Sequence, residues 1–173
     1  AVTPLTWGSG GFVGTGGIQS LFLNSSTALS EVIFSNAIDL NTGVRTINVG
    51  DNGTTGADFA TMTGAIGGTG ASGIRKEGGG ILRLQGANTY TGDTTIIQGT
   101  LTVSSLGNSA TPGMPTSVGT STDANLSTQA IVLSRTGNSA GILQYVGSGE
   151  TSDRFIQLGV DGGTGSSQIH SDG

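Results

Sequence analysis

Few residues in this chain have the types that chemistry usually requires. His170 is its single histidine, with Ser166, Ser167, Ser171, Asp161 and Asp172 nearby in sequence. Those types could build a Ser-His-Asp relay, but a relay needs convergence in space and an oxyanion site, and no G-x-S-x-G turn accompanies them. The sequence therefore predicts an exposed turn histidine. Paired carboxylates are the other arrangement to seek, because glycoside hydrolysis places two carboxyl groups across a sugar. The acidic residues are Glu31, Asp39, Asp51, Asp58, Glu77, Asp93, Asp123, Glu150, Asp153, Asp161 and Asp172, and only Glu150 and Asp153 lie close together, beside Arg154. A solvated corner, with a local Asp153–Arg154 contact or none, is the expectation there. Folding could still bring distant carboxylates together.

Binding groups are equally sparse. The Gly-Asp turns VGDNGTTGAD (49–58) and GVDGGTGSSQ (159–168) do not reproduce G-G-x-G-x-D and lack the ligand charge of a tight calcium site. The triplet at 78–80 is followed by no Lys-Ser/Thr and no helix, so it is not a phosphate loop. No metal site and no cofactor are expected. Trp7, Tyr90 and Tyr145 could stack on sugars if exposed, although capping the end of a core with Phe12 is the plainer role for Trp7.

Composition narrows the classes further. Net charge is −5 with six Lys and Arg, of which only Arg75 and Lys76 are adjacent, so there is no basic stripe for nucleic acid or an anionic membrane. There are no cysteines, hence no disulfide framework or thiolate metal site. No apolar run approaches the ~18 residues of a membrane span, and AVTPLTWGSGG has neither a basic nor an apolar leader region. Charged residues are only 10% of the chain and glycine occurs 33 times, yet regularly spaced Ile, Leu and Val argue for a folded chain with a thin core.

The elements that must hold any site are short strands. Glycine interrupts nearly every helical window, and period-two segments occur at 30–34, 44–49, 81–84, 94–97, 100–103, 131–133, 142–146 and 155–158. Corners at 41–43, 51–56, 86–93, 98–99, 136–141 and 159–165 carry Gly, Asn or Asp, which accept positive φ cheaply. Inward pairs are expected at Val32/Phe34, Ile47/Val49, Leu82/Leu84, Thr94/Ile96, Leu101/Val103, Ile131/Leu133, Leu143/Tyr145 and Ile156/Leu158. Arg83, Thr95 and Thr102 then face outward, with Ile97 an apolar exception. Residues 51–77 read as loose around Phe59, Met62 and Ile66, and 104–125, with two of the three prolines, as a looser loop excursion.

One stretch is specific. GGGILRLQGANTYTGDTTIIQGTLTV (78–103) resembles the autotransporter-associated β-strand repeat, or passenger-associated transport repeat. Gly80, Leu82, Leu84, Gly86, Asn88, Tyr90 and Gly92 carry the first half of that motif, and Thr94, Ile96, Gly99, Leu101 and Val103 the second. Residues 141–163 and 37–53 are similar to sequences flanking such repeats. The resemblance implies an all-β chain folded as a right-handed parallel β-helix with Gly/Asn/Asp-rich corners, secreted or on the bacterial surface. Residues 1–173 would then be one β-helical segment of a longer chain or fibre.

The expected function is a non-catalytic extracellular stalk or fibre segment able to assemble with itself through open coil ends. An adhesin or glycan-binding module, touching surface glycans or a host or neighbouring cell, is the first alternative. A β-helical polysaccharide lyase or hydrolase is the second.

Overall fold

The computed structural model describes residues 3–10, 12–14, 19–108, 113–120, 130–136, 139–159 and 166–173. Asp123, Asp161 and most of the corner at 159–165 lie outside them, as do parts of the 104–125 and 136–141 segments.

Among the described residues there are strands and no helix. In chain order they are β1 (Leu5–Thr6), β2 (Ser20–Leu23), β3 (Val32–Phe34), β4 (Ile38–Val49), β5 (Ala60–Met62), β6 (Ile66–Glu77), β7 (Ile81–Leu84), β8 (Thr94–Ile96), β9 (Gly99–Val103), β10 (Ile131–Leu133), β11 (Arg135–Thr136), β12 (Ser139–Tyr145), β13 (Ile156–Leu158) and β14 (Gln168–Ser171). One sheet runs β1-β4-β6-β8-β10-β13, with β2 also on β4. The other runs β3-β5-β7-β9-β12, with β14 and β11 also on β12. Every pairing is parallel except β11 with β12. Because successive strands of one sheet are separated in sequence by strands of the other, the chain winds as a parallel β-helix.

The coils build a core by aligning like positions. Val32, Ala60, Leu82, Leu101, Leu143 and Ile169 stand in one register column, and Phe34, Met62, Leu84, Val103 and Tyr145 in the next. Across from them run Ile74, Thr94, Ile131 and Ile156, and Ile47, Lys76, Ile96, Leu133 and Leu158. No strand pair could bury its apolar face alone; the next coil covers it. At the N-terminal end the first coil is closed by rings: Trp7 is fully buried, meets Phe12 edge-on at 5.7 Å, and Phe12 reaches Phe34 at 6.2 Å.

The strands at 81–84 and 131–133 have the expected bounds, whereas β4 and β6 are longer than the sequence suggests. β4 passes through the corner at 41–43, where Asn41 and Gly43 take positive φ and the pairing with β6 shifts register. β6 occupies the last 12 residues of the stretch read as loose, and its run of Gly, Ala and Ser pairs through backbone while offering few apolar side chains. Ile74 and Ile66 are buried, as is Met62 in β5, and Phe59 is half-buried. Coil length is uneven: Ile66 meets Asn88 at a separation of 22 residues, but Thr102 meets Gln144 at 42. The long coil contains the 104–125 segment, and within it residues 116–120 are buried, with Thr116 bridging Asn88 and the Thr120 amide donating to the Tyr90 carbonyl.

Candidate functional site

The alternation of β7, β9 and β12 sends every second side chain outward. Parallel register then stacks Ile33, Thr61, Arg83, Thr102, Gln144 and His170 into one outer column. At the C-terminal ends of these strands the column opens into a cleft of about 500 Å³, lined by Arg83, Gln85, Thr102, Ser104, Gln144 and Val146 and by the ends of β7 and β9. The Thr102 hydroxyl donates to Gln144 Oε1 at 2.7 Å, and Gln144 Nε2 donates to Asp172 Oδ2 at 2.8 Å. This chain fixes the Gln144 amide. The Arg83 guanidinium lies over the Phe59 ring, 3.4 Å from its centroid. Among the described residues its N–H groups meet no hydrogen-bond acceptor or carboxylate; Glu31 accepts from the Thr61 hydroxyl at 2.5 Å.

The other candidates are structural. Tyr90 and Trp7 are fully buried and Tyr145 is 8% exposed, so these rings offer no sugar platform, which corrects that expectation. They line the core because each sits at an inward position of its coil. Thr94 is buried and its hydroxyl is 2.7 Å from the Tyr90 hydroxyl, while burial raises the Tyr90 pKa, opposed by Thr94 and Arg154. Asn88 Oδ1 accepts from the Ile66 amide and its Nδ2 donates to the Ser117 carbonyl, both at 2.8 Å. Leu82, Leu84, Ile96, Leu101 and Val103 are buried, and Gly80, Gly86, Gly92 and Gly99 lie against backbone of the preceding coil.

His170 is exposed, its Nε2 2.8 Å from Gln168 Oε1, and among the described residues it faces no serine relay. At the Glu150 corner both carboxylate residues are exposed, while Arg154 is buried. Glu150 accepts from the Leu106 and Gly107 amides, and Arg154, only 7% exposed, donates to the carbonyls of Leu106, Val118 and Gly119. Burial lowers the Arg154 pKa, opposed by Tyr90, Glu150 and Asp153. The long coil supplies carbonyls that need a donor, which is why this arginine turns inward. In the Gly-Asp turn, Asp58 Oδ2 accepts from the Asn52 amide at 2.5 Å, and no group of three metal-ligating side chains occurs among the described residues.

One residue escapes sequence reasoning. Lys76, the chain's only lysine, is fully buried between Ile47 and Ile96, and its ammonium donates to the carbonyls of Glu77 (3.0 Å), Gly78 (2.5 Å) and Gln98 (2.9 Å). Burial pulls its pKa down to about 7, opposed by Asp51 and Glu77. The available signal was spacing: Lys76 follows Ile74 by two, as Ile96 follows Thr94. In a sequence that spacing competes with the default that a charged residue in Arg-Lys-Glu faces water.

Compared with known proteins, residues 74–103 match the family model described as passenger-associated-transport-repeat. The chain carries a passenger-associated transport repeat. Around the repeat, 123 residues are 37% identical to the adhesin BmaC autotransporter of Brucella suis biovar 1 (strain 1330), covering 70% of this chain and 3% of that protein. No solved structure matches. The passenger repeat and this autotransporter relative assign the chain to the bacterial outer surface or the extracellular space. Within the repeat, the described side chains form wall and core, and the outward positions of β7 and β9 contribute to the cleft.

Proposed function

We propose that the chain is a non-catalytic section of a longer β-helical passenger that works as a stalk, with further coils stacking on it. The observation that carries this reading is an uncovered core. Leu158 is in register with fully buried Leu133 yet is 56% exposed, and Ile169 is in register with fully buried Leu143 yet is 50% exposed. Phe155, beside them in sequence, is also exposed. Apolar positions that are interior in each preceding coil have no cover in the last, and a following coil or a second copy supplies it. The small part of the relative that this chain spans, 3%, supports a section of a longer chain. Defined backbone partners for Glu150 and Arg154 support a structural rather than catalytic corner.

Analytical ultracentrifugation tests the stacking. The wild-type chain should associate as concentration rises, and a Leu158→Asp/Ile169→Asp variant should remain monomeric. A wild-type chain that stays a monodisperse monomer at high concentration would overturn end stacking.

An adhesive role is the second reading, favoured by the word adhesin in the relative's name and by the outer cleft. Trp7, Tyr90 and Tyr145 are buried and take no part in such contact, and the outer cleft is lined largely by polar side chains.

A further inference from the structure

We propose that the cleft at the ends of β7, β9 and β12 binds a carboxylate-bearing saccharide, with the Arg83 guanidinium receiving the carboxylate. The idea deepens the adhesive reading and rests on it for biological use, but the binding chemistry stands on the cleft itself.

Arg83 is the central observation. The chain has a net charge of −5, yet among the described residues this guanidinium is paired with no carboxylate, and its central carbon sits 3.4 Å from the Phe59 ring centroid. Contact with the ring limits its rotation, and a guanidinium with unused N–H groups can receive a carboxylate bidentately. Glu31, the acidic residue beside Phe59 on the outer face, is engaged by Thr61. Among the described residues no carboxylate oxygen lies within ion-pair distance of Arg83.

The rest of the lining suits a sugar. Gln85 is exposed, and its side-chain amide has no hydrogen-bond partner among the described residues. Thr102 and Gln144 are fixed by one another, Ser104 adds a hydroxyl, and Val146, 43% exposed, supplies an apolar edge for a pyranose C–H face. Amides and hydroxyls around one charged group form the usual polar complement of a small-ligand site, and the volume of about 500 Å³ accommodates one to two sugar rings. Asp172, bonded to the lining residue Gln144, disfavours a second anionic group beside it. The preferred ligand thus carries its carboxylate on the ring nearest Arg83 and neutral hydroxyls beyond it.

Nuclear magnetic resonance titration of the full chain with digalacturonate, neutral galactobiose and acetate tests the proposal. Digalacturonate should shift the Arg83 Nε–H, the Gln85 and Gln144 side-chain amides and the backbone of Thr102 and Ser104. Galactobiose and acetate should each bind at least about tenfold more weakly. Arg83→Gln should lower the digalacturonate affinity about tenfold or more, Arg83→Lys should lie between, and Gln85→Ala should weaken binding while leaving the spectrum of the core unchanged. Equal binding of galactobiose, binding by acetate alone, unchanged affinity in Arg83→Gln, or no shifts at millimolar ligand would overturn it. Adhesion of whole cells displaying the chain is a separate measurement. Cleft binding without cell adhesion defeats the adhesive reading alone, and cell adhesion unaffected by Arg83→Gln defeats the cleft's part in adhesion.

Discussion

A lysine buried among isoleucines shows how one residue's neighbours override its type. The methylene stem of Lys76 fills its place in the ladder between Ile47 and Ile96, and three corner carbonyls receive its N–H groups. Desolvation nevertheless lowers its pKa to about 7, against about 10.4 in an unfolded chain. Between these values the unfolded chain holds a proton that the folded chain has released, so folding stability should rise with pH from about 7 toward 10. Above about 10 the trend should reverse, because buried Tyr90 ionises less readily folded than unfolded. Urea midpoints measured between pH 6.5 and 10.5 check both slopes, and Lys76→Met should abolish the rise. Asn88→Ala should cost about 2–4 kcal/mol in the same assay, since it leaves the buried Ile66 amide and Ser117 carbonyl without their partners.

At the scale of the element, glycines let one coil lie on the next. A Cβ on Gly80 would strike the Gly50 carbonyl oxygen, and one on Gly99, at φ +72°, would meet the carbonyls of Gly78 and Gly80 in addition to its strained backbone. Gly80→Ala and Gly99→Ala should each destabilise by about 2 kcal/mol or more. Gly53, with open space around its added Cβ, is the control and should change by less than about 0.5 kcal/mol. These differences are measurable as shifts in chemical denaturation midpoints. Strand periodicity was legible wherever apolar and polar residues alternate, as in β7 and β9. It was not legible in β6, whose GGTGAS segment is held by backbone ladders and close contacts such as that between Gly68 and Ser72.

For the whole molecule, the core is quasi-one-dimensional and position along it decides what a side chain is worth. Leu133→Ala removes a fully buried side chain and should cost about 2–5 kcal/mol. Leu158→Ala, at the exposed position of the same column, should cost well under half as much in the isolated chain. Thermal or urea unfolding of the two variants at low protein concentration tests this contrast. If association covers the end, the cost at Leu158 should grow with concentration, because removing a contact made only in the assembly weakens that assembly.

Within the sequence lay the class of the fold and its repeat: alternating apolar pairs, glycine at the bends, and a motif from Gly80 to Val103 whose spacing suits stacked strands. Local chemistry is enough for that, because side-chain alternation and backbone freedom are properties of neighbours in the chain. Only tertiary structure decided which coils meet. Thr102 finds Gln144 across 42 residues, Arg154 turns inward to carbonyls of the long coil, and Arg83 settles over Phe59 without an anionic partner. Coil length sets those encounters, and it is irregular here. The same backbone register that buries Tyr90 and Tyr145 leaves the outer cleft to residues that carry no motif.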